Sequence, residues 1–280
     1  MGIYDLPTKR ITTAGGIDTA YYEIGSGAPV IFLHGSGIGV SSRANWWRNL
    51  PAIGEQYRAI AFDLVGFGDT IDPPDCAYGM KDWIDHVLQF MDALGLEKAS
   101  LVGNSLGGWI CLEFGTQHPE RVDKLIPMGP GGRFRDDQRN ESEEPHRKRI
   151  QQYSPSREKM EKLVLDYVYA PGGIPEELVE ARLEQSLKPG AAERYAAMAE
   201  SRARDHVEYP LDEATLGKLD RPTMIVHGLN DIVIPASSAW RLVHALPNGR
   251  LFAFAHCGHW AQIEKAGEFN GVCLSFLSNA

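Results

Sequence analysis

The sequence predicts an α/β fold in which a mostly parallel sheet is flanked by helices and interrupted by a helical insertion. Apolar runs of strand length alternate with helical patterns, glycine-rich turns follow several of these runs, and the alternation stops in the middle of the chain. A chain of 280 residues can form one large core and still carry an insertion. We therefore predict a core made of 1–132 and 212–280, and a helical cap made of 133–211.

The first half of the chain supplies most of the predicted sheet. Strands separated by helices need crossover connections, so the sheet is expected to be mostly parallel and to collect ligands at the carboxyl ends of its strands. The predicted strands are 30–33, 58–62, 99–102 and 124–128, and the predicted helices are 82–94 and 109–117.

The middle of the chain has a different character, with dense charge and helices that begin at capping signals. Ser156 is a predicted N-cap for a helix that runs to about Tyr169, and Pro175 is placed at the first position of a second helix. Glu176 and Glu177 suit the positive end of that second helix. Alternation of strand and helix resumes with apolar runs at 222–226 and 251–254.

Composition and charge exclude several classes of partner. A net charge of −9 disfavours nucleic acid, whose phosphates need a basic surface. No apolar run approaches the roughly 18 residues that span a bilayer, so no membrane partner is expected. Residues 1–5 lack the charged and apolar regions of a signal peptide. The four cysteines stand far apart in apolar surroundings, which is typical of reduced, mostly buried thiols in the cytoplasm.

A candidate nucleophile stands at the junction of a predicted strand and a predicted helix. Gly103-Asn104-Ser105-Leu106-Gly107 follows the apolar run 99–102 directly. A sharp strand-to-helix turn exposes a serine hydroxyl so that a histidine can take its proton, and glycines give such a turn room. The five letters alone also suit a structural turn, so partners for Ser105 are needed.

Two later residues supply those partners. Asp231 follows the apolar run 222–226, and His259 follows the run 251–254, so both are expected at carboxyl ends of strands beside Ser105. The chain order Ser–Asp–His is that of an α/β-hydrolase triad, in which the histidine is the base and the aspartate orients it. The predicted oxyanion donors are the backbone N–H groups of Ser36 and Leu106.

No metal or cofactor is expected. His256, Cys257 and His259 are close in sequence, but no second group of ligands stands at the spacing of zinc sites. The glycine-rich turns match neither a phosphate-binding loop nor a dinucleotide fingerprint.

Four segments together resemble the meta-cleavage product hydrolases, which are α/β-hydrolase enzymes that cut a carbon–carbon bond in ring-opened aromatic compounds. The resemblance covers nearly the whole core and reaches into the cap. The segments are Gly103-Asn104-Ser105-Leu106-Gly107-Gly108, His34-Gly35-Ser36-Gly37, Met128-Gly129-Pro130-Gly131-Gly132 and Cys257-Gly258-His259-Trp260-Ala261-Gln262.

This resemblance implies a small-molecule substrate, a 2-hydroxy-6-oxohexa-2,4-dienoate cleaved between C5 and C6 in aromatic catabolism. Arg182 matches the arginine that clamps the substrate carboxylate, and Trp260 matches the tryptophan beside the catalytic histidine. Asn45 and Asn104 match asparagines at the 2-oxo end, and Gly35 and Gly37 belong to the matching loop. Family members commonly form dimers or larger homo-oligomers.

Two other functions remain open on the residues. A carboxylesterase of the same fold would use the same triad, but a neutral ester gives no reason for a cationic clamp at Arg182. A non-catalytic receptor for a small ligand is also compatible with an intact triad. Turnover of a dienoate distinguishes the enzyme from the receptor.

Overall fold

An eight-stranded sheet forms the centre of the molecule in the computed structural model, which describes residues 2–73, 76–137 and 144–279. The strands are β1 (Arg10–Ala14), β2 (Ile17–Ile24), β3 (Pro29–Leu33), β4 (Arg58–Phe62), β5 (Ala99–Asn104), β6 (Val122–Met128), β7 (Thr223–Gly228) and β8 (Gly249–Phe254). Their spatial order is β1-β2-β4-β3-β5-β6-β7-β8.

The sheet is parallel from β4 to β8, as the sequence predicts, and antiparallel at one edge. β1 pairs with β2 and β2 pairs with β4 in the antiparallel sense. Parallel pairing sets Leu33 opposite Gly103 and Asn104 opposite Met128. The carboxyl ends of β3, β5 and β6 therefore lie side by side, where three loops meet.

Helices cover both faces of the sheet. On one face Phe90 stacks on Phe62 with ring centroids 4.1 Å apart, and on the other Trp46 packs between Phe32 and Phe269. The helices before β7 are α1 (Ser42–Trp46), α2 (Leu50–Gly54), α3 (Met80–Ala93), α4 (Leu106–Gln117), α5 (Glu144–Gln151), α6 (Arg157–Leu165), α7 (Glu176–Ser186), α8 (Ala191–Glu208) and α9 (Glu213–Leu216). Those after β7 are α10 (Ala236–Ala245), α11 (Ala261–Glu264) and α12 (Ala266–Ser278).

Helices α5 to α9 all lie between β6 and β7, and two predictions there were inaccurate. Ser156 caps α6, with its hydroxyl accepting from the N–H of Lys159 at 3.2 Å, but the helix ends at Leu165 rather than near Tyr169. The N–H of Tyr169 donates to a Glu264 carboxylate oxygen at 2.7 Å, which replaces a helical acceptor. Pro175 is the N-cap of α7, one position earlier than predicted.

The cysteines of the described chain are free thiols, and Cys76 is half-buried. Cys111, Cys257 and Cys273 are buried, and no cysteine of the described chain is in a disulfide.

Across 2–73, 76–137 and 144–279, no helix combines the length and apolarity required to cross a membrane.

Candidate active site

Ser105 occupies a strained turn between β5 and α4. Its φ of 54° and ψ of −110° are unusual for a residue with a side chain, which is a sign of a functional constraint. Hydrogen bonds hold the turn: the Ser105 N–H donates to the Met128 carbonyl at 2.9 Å, and the Ser105 carbonyl accepts from Trp109 at 3.0 Å and Gly131 at 2.9 Å. The turn presents the hydroxyl above the carboxyl edge of the sheet.

The glycines around Ser105 are needed because backbones pass close to them. A Cβ on Gly103 would lie 2.1 Å from the Gly107 carbonyl oxygen, and a Cβ on Gly107 would lie 2.2 Å from the Leu33 carbonyl oxygen. Contacts this short are not tolerated by backbone atoms. The strand-to-helix turn that the sequence suggested therefore requires both glycines.

Asp231 and His259 form a buried pair behind Ser105. The Nδ1–H of His259 donates to Oδ2 of Asp231 at 2.6 Å, while Oδ1 accepts from the N–H groups of Val233 at 2.7 Å and Ile234 at 2.9 Å. Burial by itself raises the pKa of Asp231, but the charge and hydrogen bond of His259 outweigh burial and lower the pKa. Asp231 is therefore a carboxylate that fixes the ring of His259.

A second histidine supports the same aspartate. Nε2–H of His227 donates to the Ile234 carbonyl at 3.0 Å and lies 3.6 Å from Oδ2 of Asp231. Burial lowers the pKa of His227, so the ring is neutral and does not compete with His259 for the negative charge. His227 thus holds the turn that carries Asp231.

Most of the predicted site residues line one cavity of about 70 Å³. Asp231 lies behind His259, and Leu106 lies at the base of the turn, so neither forms part of the cavity wall. The predicted residues that line it are Gly35, Ser36, Gly37, Asn45, Asn104, Ser105, Arg182, His259 and Trp260.

The loop after β3 is held close to the Ser105 turn. Nδ1–H of the buried His34 donates to the Gly35 carbonyl at 2.7 Å, and Nε2 accepts from the N–H of Leu64 at 3.0 Å. A Cβ on Gly35 would lie 3.1 Å from Oδ1 of Asn104, so the two loops touch. Leu106 is the first residue of α4, where a backbone N–H has no acceptor within the helix.

Several buried polar atoms at the cavity have no hydrogen-bond partner. They are Nδ2 of Asn45, both side-chain polar atoms of Asn104, and Nε of Arg182. Buried polar groups without partners are rare, and each calls for an explanation such as a ligand. Atoms of this kind beside a strained serine indicate a polar ligand in the cavity.

Comparisons with known proteins identify the fold and the family of this chain. The family described as alpha/beta hydrolase fold matches residues 28–266. The 2-hydroxymuconate semialdehyde hydrolase of Pseudomonas sp. (strain CF600) is 35% identical over 273 residues, which are 97% of this chain and 94% of that protein. The solved meta-cleavage product hydrolase of Pseudomonas fluorescens IP01 is 36% identical, covers 96% of this chain and 97% of that chain, and has a TM-score of 0.87.

The chain belongs to the meta-cleavage product hydrolases of the α/β-hydrolase family. The resemblance and the fold predicted from sequence are thereby confirmed. Membership of a family of carbon–carbon bond hydrolases also favours catalysis over the receptor alternative.

Arg182 is the most buried charge in this hydrolase's cavity. It is 1% exposed, its Nη2 donates to the Ile38 carbonyl at 2.6 Å, and its guanidinium lies 5.1 Å from the ring of Trp260. Burial lowers the pKa of Arg182, and no carboxylate of the described chain lies within 4.0 Å of it. Trp260 in turn stacks on Tyr167 with ring centroids 4.3 Å apart.

Sequence reasoning missed other cavity residues of the hydrolase. Tyr167, Tyr195 and Arg202 line the same space, and all come from the segment between β6 and β7. A signal was present, since Tyr195, Met198 and Arg202 are spaced three and four apart and share one face of α8. This spacing places an arginine on the same helix face as two apolar residues, which is a pattern that a ligand-binding face would give.

A larger, mainly apolar cavity of about 330 Å³ adjoins the first. The two share Gly37, Val40, Ile150 and Tyr195 as walls.

No hydrogen bond joins Ser105 and His259 in the described chain. Hydrogen bonds between catalytic groups are often long before substrate binds.

Proposed function

We propose that this hydrolase cleaves the C5–C6 bond of 2-hydroxy-6-oxohexa-2,4-dienoate-type ring-fission products. The products are a 2-hydroxypenta-2,4-dienoate and a carboxylic acid. The observation that carries the proposal is the buried, acid-free surroundings of Arg182 in the same cavity as Ser105 and His259. A buried cation is costly without a counter-charge, and a substrate carboxylate provides one.

In the proposed complex Arg182 binds the C1 carboxylate, and Asn45 and Asn104 bind the oxygen at C2. Their unpartnered amide atoms supply both donors and an acceptor for that end of the substrate. Trp260 packs against Arg182. Gly35 and Gly37 lack side chains that would meet Asn104 and Arg182, so both of these proposed substrate-binding groups can reach the cavity. The proposed site thus has one group of residues that binds the carboxylate end of the substrate and another group that surrounds the reacting carbon.

The first proposed step converts the bound dienol into its keto form. The hydroxyl at C2 loses its proton and C5 gains one, with His259 as the shuttle. The resulting ketone is an electron sink for the bond between C5 and C6. This step needs no cofactor.

Ser105 then attacks the carbonyl carbon C6, and His259 takes the hydroxyl proton. Asp231 stabilises the imidazolium, and the N–H groups of Ser36 and Leu106 bind the oxyanion. When the C5–C6 bond breaks, its electron pair moves into the ketone, and the imidazolium of His259 returns its proton to the enolate oxygen so that the dienol leaves. His259 then takes a proton from water as the water oxygen attacks the acyl carbon, and it gives that proton to the Ser105 oxygen when the ester bond breaks, which releases the carboxylic acid. A complete triad favours this acyl-enzyme over direct attack by water.

We further propose that the core comprises 1–132 and 212–280 and that 133–211 forms a cap over the cavity. The proposal is supported by the origin of Arg182, which lies on α7 between β6 and β7 but lines the cavity with Ser105.

The test compares a dienoate with a neutral p-nitrophenyl ester in the wild type and in Arg182→Ala. Loss of the visible absorbance of the dienoate reports cleavage. We expect kcat/KM for the dienoate to fall by roughly 100-fold or more, because a buried charge pair is lost, with a much smaller change for the ester.

Arg182→Lys is the matched control, because it keeps the charge but cannot bind a carboxylate in the bidentate manner of arginine. We expect an intermediate loss of kcat/KM for the dienoate in this variant. Equal losses on dienoate and ester in Arg182→Ala would refute the clamp. Efficient ester hydrolysis by a wild type that leaves the dienoate intact would identify a carboxylesterase instead.

A further inference from the structure

Two arginines line the catalytic cavity, and no acidic residue among the described ones does so. They are Arg182 and Arg202, in a protein whose net charge is −9. The larger adjoining cavity also lacks an acidic lining residue in the described chain. A single substrate carboxylate at Arg182 leaves Arg202 without a counter-charge.

Arg202 reaches the cavity from α8 and has only neutral partners within the described chain. Its Nη1 donates to Oγ of Ser36 at 2.9 Å, and its Nη2 donates to the hydroxyl of Tyr195 at 3.4 Å. The guanidinium also lies 5.6 Å from the Tyr195 ring. These contacts orient the cation without neutralising it, so it is available to an anion.

The positive region extends beyond Arg202. Burial, together with the charges of Arg133 and Arg202, lowers the pKa of His206 to about 4. His206 is therefore neutral and adds no charge of its own. The region next to Arg202 nevertheless has a cationic field that favours negative groups.

The contact with Ser36 fixes which end of the substrate Arg202 faces. In the proposed function the N–H of Ser36 binds the oxygen on C6, whereas Arg182 binds the carboxylate at C1. Arg202 is hydrogen-bonded to the side chain of Ser36, so it lies at the C6 end of the bound substrate. A group recognised by Arg202 would thus be attached to C6.

Resting on the proposed function, we infer that Arg202 binds a second anionic group on the C6 substituent. The preferred substrate is then a dicarboxylate dienoate, with one acidic group at each end. A charge-assisted hydrogen bond of this kind is expected to improve kcat/KM by about 10- to 100-fold over a neutral tail.

The experiment compares two dienoates that differ only at the end of the C6 chain. One carries –CH2CH2COO⁻ and the other carries a propyl group of the same length. The measured quantity is the ratio of their kcat/KM values in the wild type, Arg202→Met, Arg202→Lys and Arg204→Met. We expect a wild-type ratio of at least about 10 in favour of the dicarboxylate, falling to about one in Arg202→Met.

Arg202→Lys should keep part of the preference, because it retains the charge. Arg204 is exposed on the same helix, donates to Ser201 and does not line the cavity, so Arg204→Met is the matched control and should keep the wild-type ratio. The ratio separates recognition from damage to the site, since damage lowers both rates together.

An unchanged ratio in Arg202→Met would overturn the inference and leave Arg202 as a structural link to Ser36. A wild-type preference for the propyl compound, whose tail suits the adjoining apolar cavity, would overturn it as well. Absence of turnover for both dienoates in the wild type would instead overturn the proposed function.

Discussion

At the scale of single residues, the site depends on charges that are buried and fixed before substrate arrives. Asp231 has both carboxylate oxygens occupied, one by His259 and the other by two backbone N–H groups. An aspartate held in this way keeps His259 in one tautomer, as the proposed mechanism requires. The rate should therefore be sensitive to its charge rather than to its size.

Asp231→Asn is expected to lower kcat for the dienoate by about 10³- to 10⁴-fold, because an amide can favour the wrong tautomer and cannot stabilise the imidazolium. Steady-state kinetics measures the effect, and circular dichroism checks the fold. Asp220→Asn, at an exposed carboxylate 3.2 Å from Arg221, serves as the control and should leave kcat within about twofold. A loss below 10-fold in Asp231→Asn would mean that another group orients His259.

At the scale of secondary-structure elements, close backbone packing shapes the turn that carries Ser105, the proposed nucleophile. Helix α4 begins directly at Leu106, so β5, the turn and the helix share glycines rather than a connecting loop. Those glycines are the part of the site that sequence showed most clearly, because few other residues tolerate such contacts.

Gly103→Ala should destabilise the fold by roughly 3 kcal/mol and reduce activity, because the new methyl group would meet the Gly107 carbonyl. Denaturant unfolding measures the stability. Gly271→Ala is the control, since Gly271 lies in α12 with nothing within 4 Å of the added carbon, and a gain of about 0.5–1 kcal/mol is expected. A Gly103→Ala protein as stable as the wild type would contradict the packing described for the turn.

Elements of the core were predictable where apolar runs ended at glycine turns, as at β3, β5 and β7. The hairpin of β1 and β2 was not predicted, because β1 is largely exposed and rich in threonine and so lacks an apolar run. Contacts between distant segments could not be predicted from local sequence patterns either. Arg202 meets Ser36 across 166 positions, and no periodicity of α8 indicates that partner.

At the scale of the whole molecule, buried neutral histidines link stability to pH. Nδ1 of His86 accepts from the N–H of Val65 at 3.0 Å, and Nε2–H donates to Thr19 at 2.7 Å. Burial, followed by the charge of His34, lowers the pKa of His86 from 6.5 to about 3. Protonation would remove the acceptor for Val65, so the folded protein resists it.

The free energy of unfolding should fall as the pH decreases from about 7 towards 4. The unfolded chain binds a proton at His86 below about pH 6.5, whereas the folded chain does not until about pH 3. This histidine alone accounts for up to about 1.4 kcal/mol per pH unit in that window. Above pH 6.5 His86 is neutral in both the folded and the unfolded chain, so the stability linked to its lowered pKa is fully present there.

Denaturant unfolding at pH 8 and at pH 5 measures this dependence. His86→Gln keeps a donor and an acceptor but does not titrate, so its stability should change less with pH than that of the wild type. His244→Gln, on the surface of α10, should leave the dependence unchanged. Equal pH dependence in His86→Gln and the wild type would assign the effect to other groups.

The order of the strands also has a consequence for the chain while it is being made. β5, β6, β7 and β8 lie side by side in the order in which they are synthesised. Ser105 can be held in its turn once β5, α4, β6 and the loop after β6 have formed, whereas Asp231 and His259 follow β7 and β8. Because synthesis proceeds from the N-terminus, a growing chain carries the hydroxyl long before its base. Under the proposed mechanism, the nascent protein therefore lacks a base for Ser105 until β8 has joined the sheet.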